Sequence, residues 1–386
     1  MKHSIAAAIV AGSMALGTAL AVGTAEAQVT VGFVTSQSGP GSSIGVLYDR
    51  GMKAAVEYAS SVGGEKIRFI QLDDGSDPSA ATRNARKLVE ESKVDLLIGT
   101  ATAPSSIAMV AVANELKVPM ISISPITVPA ADGGERWGIA VPQPPSLMVK
   151  VVIDRMQRDG IKKVAFIGFS DAWGDLVYNG ALQTAGDMKI LTNERYARTD
   201  TSVTGQALKI MAAKPDAVLV AGSGTPAALP QKTLKERGYT GKMYQTHGVA
   251  NADFLRVGGK DVEGTFLPAG PVLVADQLPA SNPVKKSALA YVSAYEAAYG
   301  KGSVSTFGGH AWDAGLLMSS AVPVALKKAQ PGTPEFRAAL RDALEQTKEV
   351  AGAHGVFNMT AQDHLGLDQR ARVMVKIENG AWKYQP

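Results

Sequence analysis

The chain has 386 residues, of which 46% are hydrophobic and 19% are charged, and its formal net charge at pH 7 is +4. This length is enough for two domains with separate cores, and the composition is that of a globular protein. Lys and Arg are interspersed with Asp and Glu, so there is no basic stripe of the kind that binds nucleic acid, and no nucleic-acid partner is expected.

Residues 1–27 have the pattern of a secretory signal peptide. Lys2 and His3 precede an uncharged run over residues 5–22, and Ala25-Glu26-Ala27 supplies the small residues of a cleavage site. Cleavage after Ala27 would release a mature chain into the periplasm. The alternative is a membrane anchor, because the apolar run is almost long enough to span a bilayer. The chain has no cysteine, which excludes disulfides and a lipid-modified cysteine.

Short apolar runs alternate with amphipathic stretches from residue 29 onward. In the first half, strands are predicted at 29–34, 67–72, 94–98 and 120–123, and helices at 44–61, 78–92 and 105–116. After a Pro- and Gly-rich stretch at 127–138, the predicted elements are helix 145–159, strand 163–168, a helix from about 175, strand 190–196, helix 204–211, strand 217–221, helix 226–237 and strand 242–246. The last part is predicted to contain helices 284–299, 307–328 and 334–347 and a hairpin, 372–377 with 381–384.

Strand–helix alternation at this spacing predicts parallel sheets with helices on both faces. Because the pattern occurs twice, the predicted fold class is α/β, with two doubly wound parallel-sheet lobes. The late helices indicate that the chain crosses between the lobes more than once. A ligand is expected in the cleft between the lobes.

The sequence carries none of the common catalytic motifs. Ala221-Gly222-Ser223-Gly224 lacks the spacing of a nucleophile elbow, and there is no Walker loop, dinucleotide-binding glycine motif or H-E-x-x-H. The histidines after residue 27 are never spaced i, i+4, so neither a metal nor another cofactor is predicted. These observations favour a binding protein over an enzyme.

Motifs in a fixed order along the chain resemble those of a known family. They are Gly32-Phe33-Val34, Ser38-Gly39-Pro40, Gly45, Arg50-Gly51, Gly63-Gly64, Leu72-Asp73-Asp74, Asp77-Pro78, residues 94–99, residues 118–122, Trp173-Gly174, Pro215-Asp216-Ala217-Val218, Gly248-Val249-Ala250-Asn251 and Trp312-Asp313-Ala314. The ordered set resembles the type I periplasmic binding proteins, specifically the leucine/isoleucine/valine-binding proteins of ABC transporters, over essentially all of residues 29–386.

This resemblance implies two lobes, joined by three crossovers, that close around a ligand without catalysing a reaction. Lobe 1 is expected to comprise 28–142 and 267–350, and lobe 2 to comprise 143–266 and 351–386. The expected partners are a small carboxylate ligand and the ABC permease and ATPase complex at the inner membrane. The receptor itself is expected to be a monomer.

The loop that follows strand 94–98 is a candidate carboxylate site. It leads into a helix predicted to begin near Ser105, where free backbone N–H groups and the helix dipole favour an anion. Thr102 and Ser105 add hydroxyl groups on either side of Ala103 and Pro104. The alternative for Ser105 is that it only caps the helix, which is compatible with ligand binding.

Two positions depart from the pattern of the amino-acid-binding members. Ala103 stands where they have a serine, and His247 replaces the acidic residue that pairs with the ligand ammonium group. A histidine is a poor partner for an ammonium, whereas it donates readily to a keto or hydroxyl oxygen. The alternative is that the alignment slips here and His247 is an ordinary loop residue.

The resemblance also places several other residues around the ligand. Trp173 lies where family members have an aromatic residue facing the ligand, and its ring would stack on a planar group. Phe307 is expected to close the cleft near the hinge, although core packing is an alternative role for it and for Trp312. The other predicted contacts are Ile44, Ile126, Thr127 and Thr225.

The sequence therefore predicts a receptor for a small carboxylate, either an aromatic or a 2-oxo acid. A branched-chain amino-acid receptor with altered contacts is the main alternative. A ligand-sensing regulator and an exported enzyme on the same scaffold are weaker alternatives, because of the signal peptide and the missing catalytic motifs respectively.

Overall fold

A computed structural model describes residues 28–58, 61–130 and 134–386. The predicted signal peptide lies outside these residues. Within them, no helix combines the length and the apolar character needed to cross a membrane.

The first lobe is built on a six-stranded sheet with the order β2-β3-β1-β4-β5-β6. Its strands are β1 (Val29–Thr35), β2 (Ser61–Val62), β3 (Glu65–Asp73), β4 (Leu96–Gly99), β5 (Met120–Ser122) and β6 (Gly138–Ala140). All neighbours pair in parallel except β2 and β3, which form a short antiparallel hairpin. The predicted parallel sheet is confirmed, and the sequence missed β6, which has three residues.

Helices cover both faces of this first sheet. They are α1 (Ser42–Tyr58), α2 (Pro78–Glu90), α3 (Ala103–Leu116), α9 (Lys285–Tyr299), α10 (Thr306–Leu326) and α11 (Pro334–Glu345). Val31 and Phe33 pack in the cluster with α1 and α10, while Val34 packs in the cluster with α2 and α3. Burial on both faces explains why the central strands β1 and β4 are mainly apolar. The predicted helix start at Pro78 is confirmed, since the Asp77 carboxylate accepts from Ala80 N.

The second lobe is built on a seven-stranded sheet with the order β15-β14-β11-β10-β9-β7-β8. Its strands are β7 (Lys163–Phe169), β8 (Lys189–Tyr196), β9 (Ala217–Ala221), β10 (Lys242–Gln245), β11 (Phe266–Ala269), β14 (Val373–Glu378) and β15 (Ala381–Gln385). The flanking helices are α4 (Pro145–Arg158), α5 (Ala172–Thr184), α6 (Thr204–Ala212), α7 (Ala228–Glu236) and α8 (Ala252–Gly258). The predicted C-terminal hairpin is confirmed, and Asn379 and Gly380 both have positive φ, as a type I′ turn requires.

The chain crosses between the lobes three times. The first crossing lies between β6 and α4, and the second follows β11, which pairs with β10 and β14 of the second sheet through Ala269. After α11, the short hairpin β12 (Val350–Ala351) and β13 (Val356–Phe357) packs on lobe 1, and His364 hydrogen-bonds the backbone of β6. We therefore place the second crossing near Gly270 and the third near Ala371, later than the predicted 267 and 351.

The three crossings meet at Gln143. Its Nε2 donates to the carbonyl of Ala371, in the third crossing, over 3.0 Å. A side chain at Gly270, in the second crossing, would collide with the Gln143 amide and with the His354 ring. The absence of a side chain at Gly270 thus allows the crossings to pack together. This hinge region lies beside the cleft.

Candidate ligand-binding site

A small cavity lies between the two lobes. Lobe 1 contributes Ile44, Tyr48, Ala101, Thr102, Ala103, Ser124, Pro125, Phe307 and His310, and lobe 2 contributes Trp173, Arg198, Ser223, His247 and Gly248. Most of these residues follow the carboxyl ends of strands β4, β5, β7, β8, β9 and β10. In parallel α/β sheets these strand ends meet at one edge, which is where ligands bind.

The cavity wall contains some of the predicted contacts and not others. Ile44, Thr102, Ala103, Trp173, His247 and Phe307 line it, whereas Pro104, Ser105, Ile126, Thr127 and Thr225 do not. Ile126 is wholly buried in the core, and Thr127 is exposed, so neither side chain faces the ligand space. The residues of this loop that do line the cavity are the preceding Ser124 and Pro125.

Thr225 belongs to the contact between the lobes. Its backbone N–H donates to Ser43 Oγ, on α1, over 3.3 Å. Thr225 therefore lies at a point where the two lobes are in contact.

Helix α3 begins two residues earlier than predicted, at Ala103. Thr102 is the N-cap, and its Oγ1 accepts from Ser105 N over 3.3 Å and donates to Ser105 Oγ over 3.0 Å. The cap is thus Thr102 and not Ser105. The hydroxyl of Ser105 is buried behind the cap, and of residues 102–105 Thr102 and Ala103 line the cavity.

Arg198 is a cavity residue that the sequence analysis missed. Its Nε contacts Asp171 Oδ2 at 2.7 Å, and its Nη1 donates to Ser223 Oγ at 2.9 Å. The guanidinium carbon lies 4.2 Å from the centroid of the Phe169 ring. These contacts hold a cation in the wall of lobe 2. The sequence feature that could have identified Arg198 is its position just after the carboxyl end of β8, beyond Tyr196.

His247 lies in the cavity wall and is only 3% exposed. The Trp173 ring meets it edge-on, with the ring centroids 5.3 Å apart, and the Trp173 indole N–H is fixed by the carbonyl of Gly222. Burial, together with the nearby His354, lowers the pKa of His247 to about 3, so its imidazole is neutral. Neither of its ring nitrogens has a hydrogen-bond partner among the described residues.

His310 and Tyr48 were also missed as cavity residues. They lie on α10 and α1, and Tyr48 meets Phe307 edge-on with the ring centroids 5.6 Å apart. Burial holds the pKa of His310 well below its usual value, and the neighbouring His354 and His247 lower it further. Burial also raises the pKa of Tyr48, so its phenol stays protonated.

Comparison with known proteins agrees with this architecture. The family model described as periplasmic binding protein matches residues 28–381. The chain belongs to this family. The solved extracellular ligand-binding receptor from Rhodopseudomonas palustris HaA2 is 44% identical to it, with a TM-score of 0.89, and the match covers 93% of this chain and all of that one.

More distant relatives carry names that refer to ligands. An amino acid binding protein from Pseudomonas aeruginosa is 25% identical over 65% of this chain and 70% of its own length. The Leu/Ile/Val-binding protein homolog 3 from Brucella melitensis is 22% identical over 63% of this chain and 67% of its own. A solute-binding protein from R. palustris, solved in complex with benzoate, is 22% identical, with a TM-score of 0.77 over 92% of this chain and 95% of that one. The predicted membership of the leucine/isoleucine/valine-binding group of type I periplasmic binding proteins is thus confirmed.

The cavity of this periplasmic binding protein has an unusual charge balance for an amino-acid site. Its lining residues include one arginine, two neutral histidines and no aspartate or glutamate. An ammonium group placed here would lack an anionic partner, whereas a carboxylate would meet Arg198.

Proposed function

We propose that this protein is the periplasmic receptor of an ABC importer and that its ligand is a small aromatic or 2-oxo carboxylate. The observation that carries the proposal is the cavity wall, in which Arg198 is the charged residue and no acid is present. The lobes close around the ligand, and the closed protein delivers it to the permease and ATPase complex.

Electrostatics favour an anion in this cavity. Asp171 and Ser223 orient the Arg198 guanidinium, and a carboxylate that reaches it forms a charge-assisted hydrogen bond, the strong class of such bonds. On the opposite lobe, the Thr102 hydroxyl can turn from Ser105 Oγ to donate to the same ligand, and the start of α3 presents the positive end of its dipole. A carboxylate between the lobes therefore contributes directly to closure.

Aromatic side chains favour a flat ligand. Trp173, Phe307 and Tyr48 all line the cavity, and the Trp173 ring is fixed by its hydrogen bond to Gly222. Aromatic pairs gain about 0.5–1.5 kcal/mol beyond the burial of their area. The benzoate complex of the R. palustris solute-binding protein supports the idea that this fold accepts an aromatic acid.

A thermal-shift screen tests the ligand class. Purified protein is heated with benzoates, 2-oxo acids and branched-chain amino acids, each at a concentration far above the expected Kd. A ligand that binds only the folded state at a hundredfold excess over Kd stabilises it by about 2.7 kcal/mol. We expect the largest stabilisation from an aromatic or 2-oxo acid. A screen in which only leucine, isoleucine or valine stabilises the protein would overturn the proposal.

Export is expected to remove residues 1–27. The mature protein should begin at Gln28, be recovered from a periplasmic extract without detergent, and elute as a monomer from a sizing column. Intact-mass measurement and N-terminal sequencing check the cleavage site. Membrane association of a chain that retains residues 1–27 would instead support an anchor.

Replacing Thr102 should affect both stability and ligand binding. Thr102→Val removes the N-cap of α3, which should lower the free energy of unfolding by about 1 kcal/mol. It also removes a hydroxyl from the cavity, which should weaken carboxylate binding by roughly 1–3 kcal/mol in calorimetry.

Thr102→Ser is the matched control, because serine retains both the cap and the hydroxyl. It should stay close to the wild type in both measurements. If Thr102→Val lowers stability but leaves affinity unchanged, Thr102 has a purely structural role.

A further inference from the structure

His310 lies where the ligand cavity meets the hinge. It lines the cavity from α10, is 1% exposed, and stacks on His354 with the ring centroids 3.9 Å apart. The Asp313 carboxylate lies 3.1 Å from the Nδ1 atom of His354 and accepts hydrogen bonds from the backbone N–H groups of Ala353 and His354. The carboxylate nearest to this pair of rings is therefore bound to His354.

The hinge fixes the orientation of the Gln143 amide. The carbonyl oxygen of Ala371 can only accept a hydrogen bond, so the Gln143 atom that lies 3.0 Å from it must be the NH₂ nitrogen. The Gln143 Oε1 atom then faces His310 Nε2 at 3.2 Å. An amide oxygen also only accepts, so His310 Nε2 must carry a hydrogen.

The other ring nitrogen of His310 must then be an acceptor. Burial favours the neutral imidazole, which has a single N–H, and that N–H is directed to Gln143. His310 Nδ1 is left with a lone pair, and it is buried without a partner among the described residues. A buried acceptor without a donor costs about 1–3 kcal/mol, so a ligand donor that reaches this atom would strengthen binding.

We propose that His310 Nδ1 accepts a hydrogen bond from a hydroxyl group of the ligand, so that the receptor selects hydroxylated aromatic acids over their unsubstituted or O-methylated counterparts. This inference rests on the proposed function, since it takes the carboxylate at Arg198 and the aromatic ring as given. Gln143 acts as a positioning residue, because it sets the tautomer without lining the cavity.

His247 complements this arrangement. Both of its nitrogens lack partners among the described residues, and no protein contact fixes its tautomer. It can therefore donate to the same hydroxyl oxygen while His310 accepts the hydroxyl hydrogen. A hydroxyl satisfies both histidines at once, whereas a keto oxygen satisfies only His247.

The tautomer can be measured directly. Mature protein labelled with ¹⁵N at histidine is recorded by two-bond ¹H–¹⁵N NMR, free and saturated with a hydroxybenzoate, and the His310 signals are assigned by comparison with His310→Asn. We expect the pattern of a neutral ring with hydrogen on Nε2. A pattern with hydrogen on Nδ1, or on both nitrogens, would overturn the proposal.

The selectivity is measured by calorimetry with benzoate, its three hydroxy isomers and the three matching methoxy compounds. At least one hydroxy isomer should bind about tenfold more tightly than benzoate and than its own methoxy counterpart, as one hydrogen bond to a buried group provides. If benzoates bind and no hydroxyl improves binding, the inference fails while the proposed function stands. If none binds and an amino acid does, both fail.

Gln143→Leu tests the positioning role. It should reduce the hydroxy-to-methoxy preference, because His310 is then free to adopt either tautomer. The preference is a ratio of two affinities of the same variant, so a general effect of the hinge on binding cancels in it. Gln231→Leu is the matched control, since Gln231 is equally buried in lobe 2 and its amide bonds Asp261 and Thr265 away from the cavity. If Gln143→Leu folds and keeps the preference, or if Gln231→Leu loses it equally, Gln143 has no positioning role. The NMR measurement tests the tautomer independently of these variants.

Discussion

Phenylpyruvate should bind more tightly than phenylalanine, by roughly one to two orders of magnitude. The two molecules share a ring and a carboxylate and differ only in a keto or an ammonium group. Among the described residues, no acid lines the cavity, and the neutral His247 can donate to a keto oxygen. A charge-assisted hydrogen bond that cannot form costs the amino acid roughly 1.5–3 kcal/mol, which is one to two factors of ten in Kd.

Calorimetry of the two ligands decides this prediction, and variants at His247 assign the cause. His247→Glu places a carboxylate where the ammonium would lie and should shift the preference toward phenylalanine. His247→Gln, which keeps a neutral polar side chain, should not. Tighter binding of phenylalanine by the wild type would make the interpretation of His247 wrong and favour the amino-acid receptor.

Loss of Arg198 should weaken the binding of every carboxylate ligand more than any other single change in the cavity. The side chain is 12% exposed and is held by Asp171 and Ser223, so its charge is well placed before the ligand arrives. Removing one partner of a buried charge pair costs about 2–5 kcal/mol, and the apparent Kd for Arg198→Gln should rise at least thirtyfold. Unfolding of this variant should also require less denaturant, because Asp171 loses its cation.

Arg195→Gln is the matched control for Arg198→Gln. Arg195 lies near the end of β8, three residues before Arg198, and also makes an ion pair, with Asp175, but it lies outside the cavity. It should change stability and leave the Kd for the acid near the wild-type value. Equal affinities in Arg198→Gln and the wild type would show that the carboxylate binds elsewhere.

Local signals were sufficient to predict most of the fold. The central strands β1, β4, β7 and β9 are apolar because helices cover both faces of each sheet. The Asp77 cap marks the start of α2, and the Asn379-Gly380 pair marks the hairpin turn. Strand β6 was missed because it has three residues and follows a Pro- and Gly-rich stretch, and it is stabilised by contacts with β5 and with His364, which are distant in the chain. The two later crossings also depend on pairing, which the local sequence does not encode.

Some residues of the candidate site could likewise be predicted from the local sequence, and others could not. Thr102, Trp173 and His247 follow strand ends, where position in the chain predicts position in the cleft. Tyr48 and His310 lie on helices whose neighbouring residues are apolar and buried, so their periodicity is that of core residues. They face the cavity only because α10 returns to pack against α1, a contact between distant parts of the chain.

The three crossings also determine when this molecule can become folded. The core of lobe 1 includes Phe357 and Met359, and the sheet of lobe 2 places β14 against β11, more than a hundred positions earlier in the chain. Neither lobe can therefore complete its structure until nearly the whole polypeptide is available, and the many non-local contacts favour slow folding. Truncation of the last strands would leave an open sheet edge at β11, so a prematurely terminated chain would be vulnerable to aggregation.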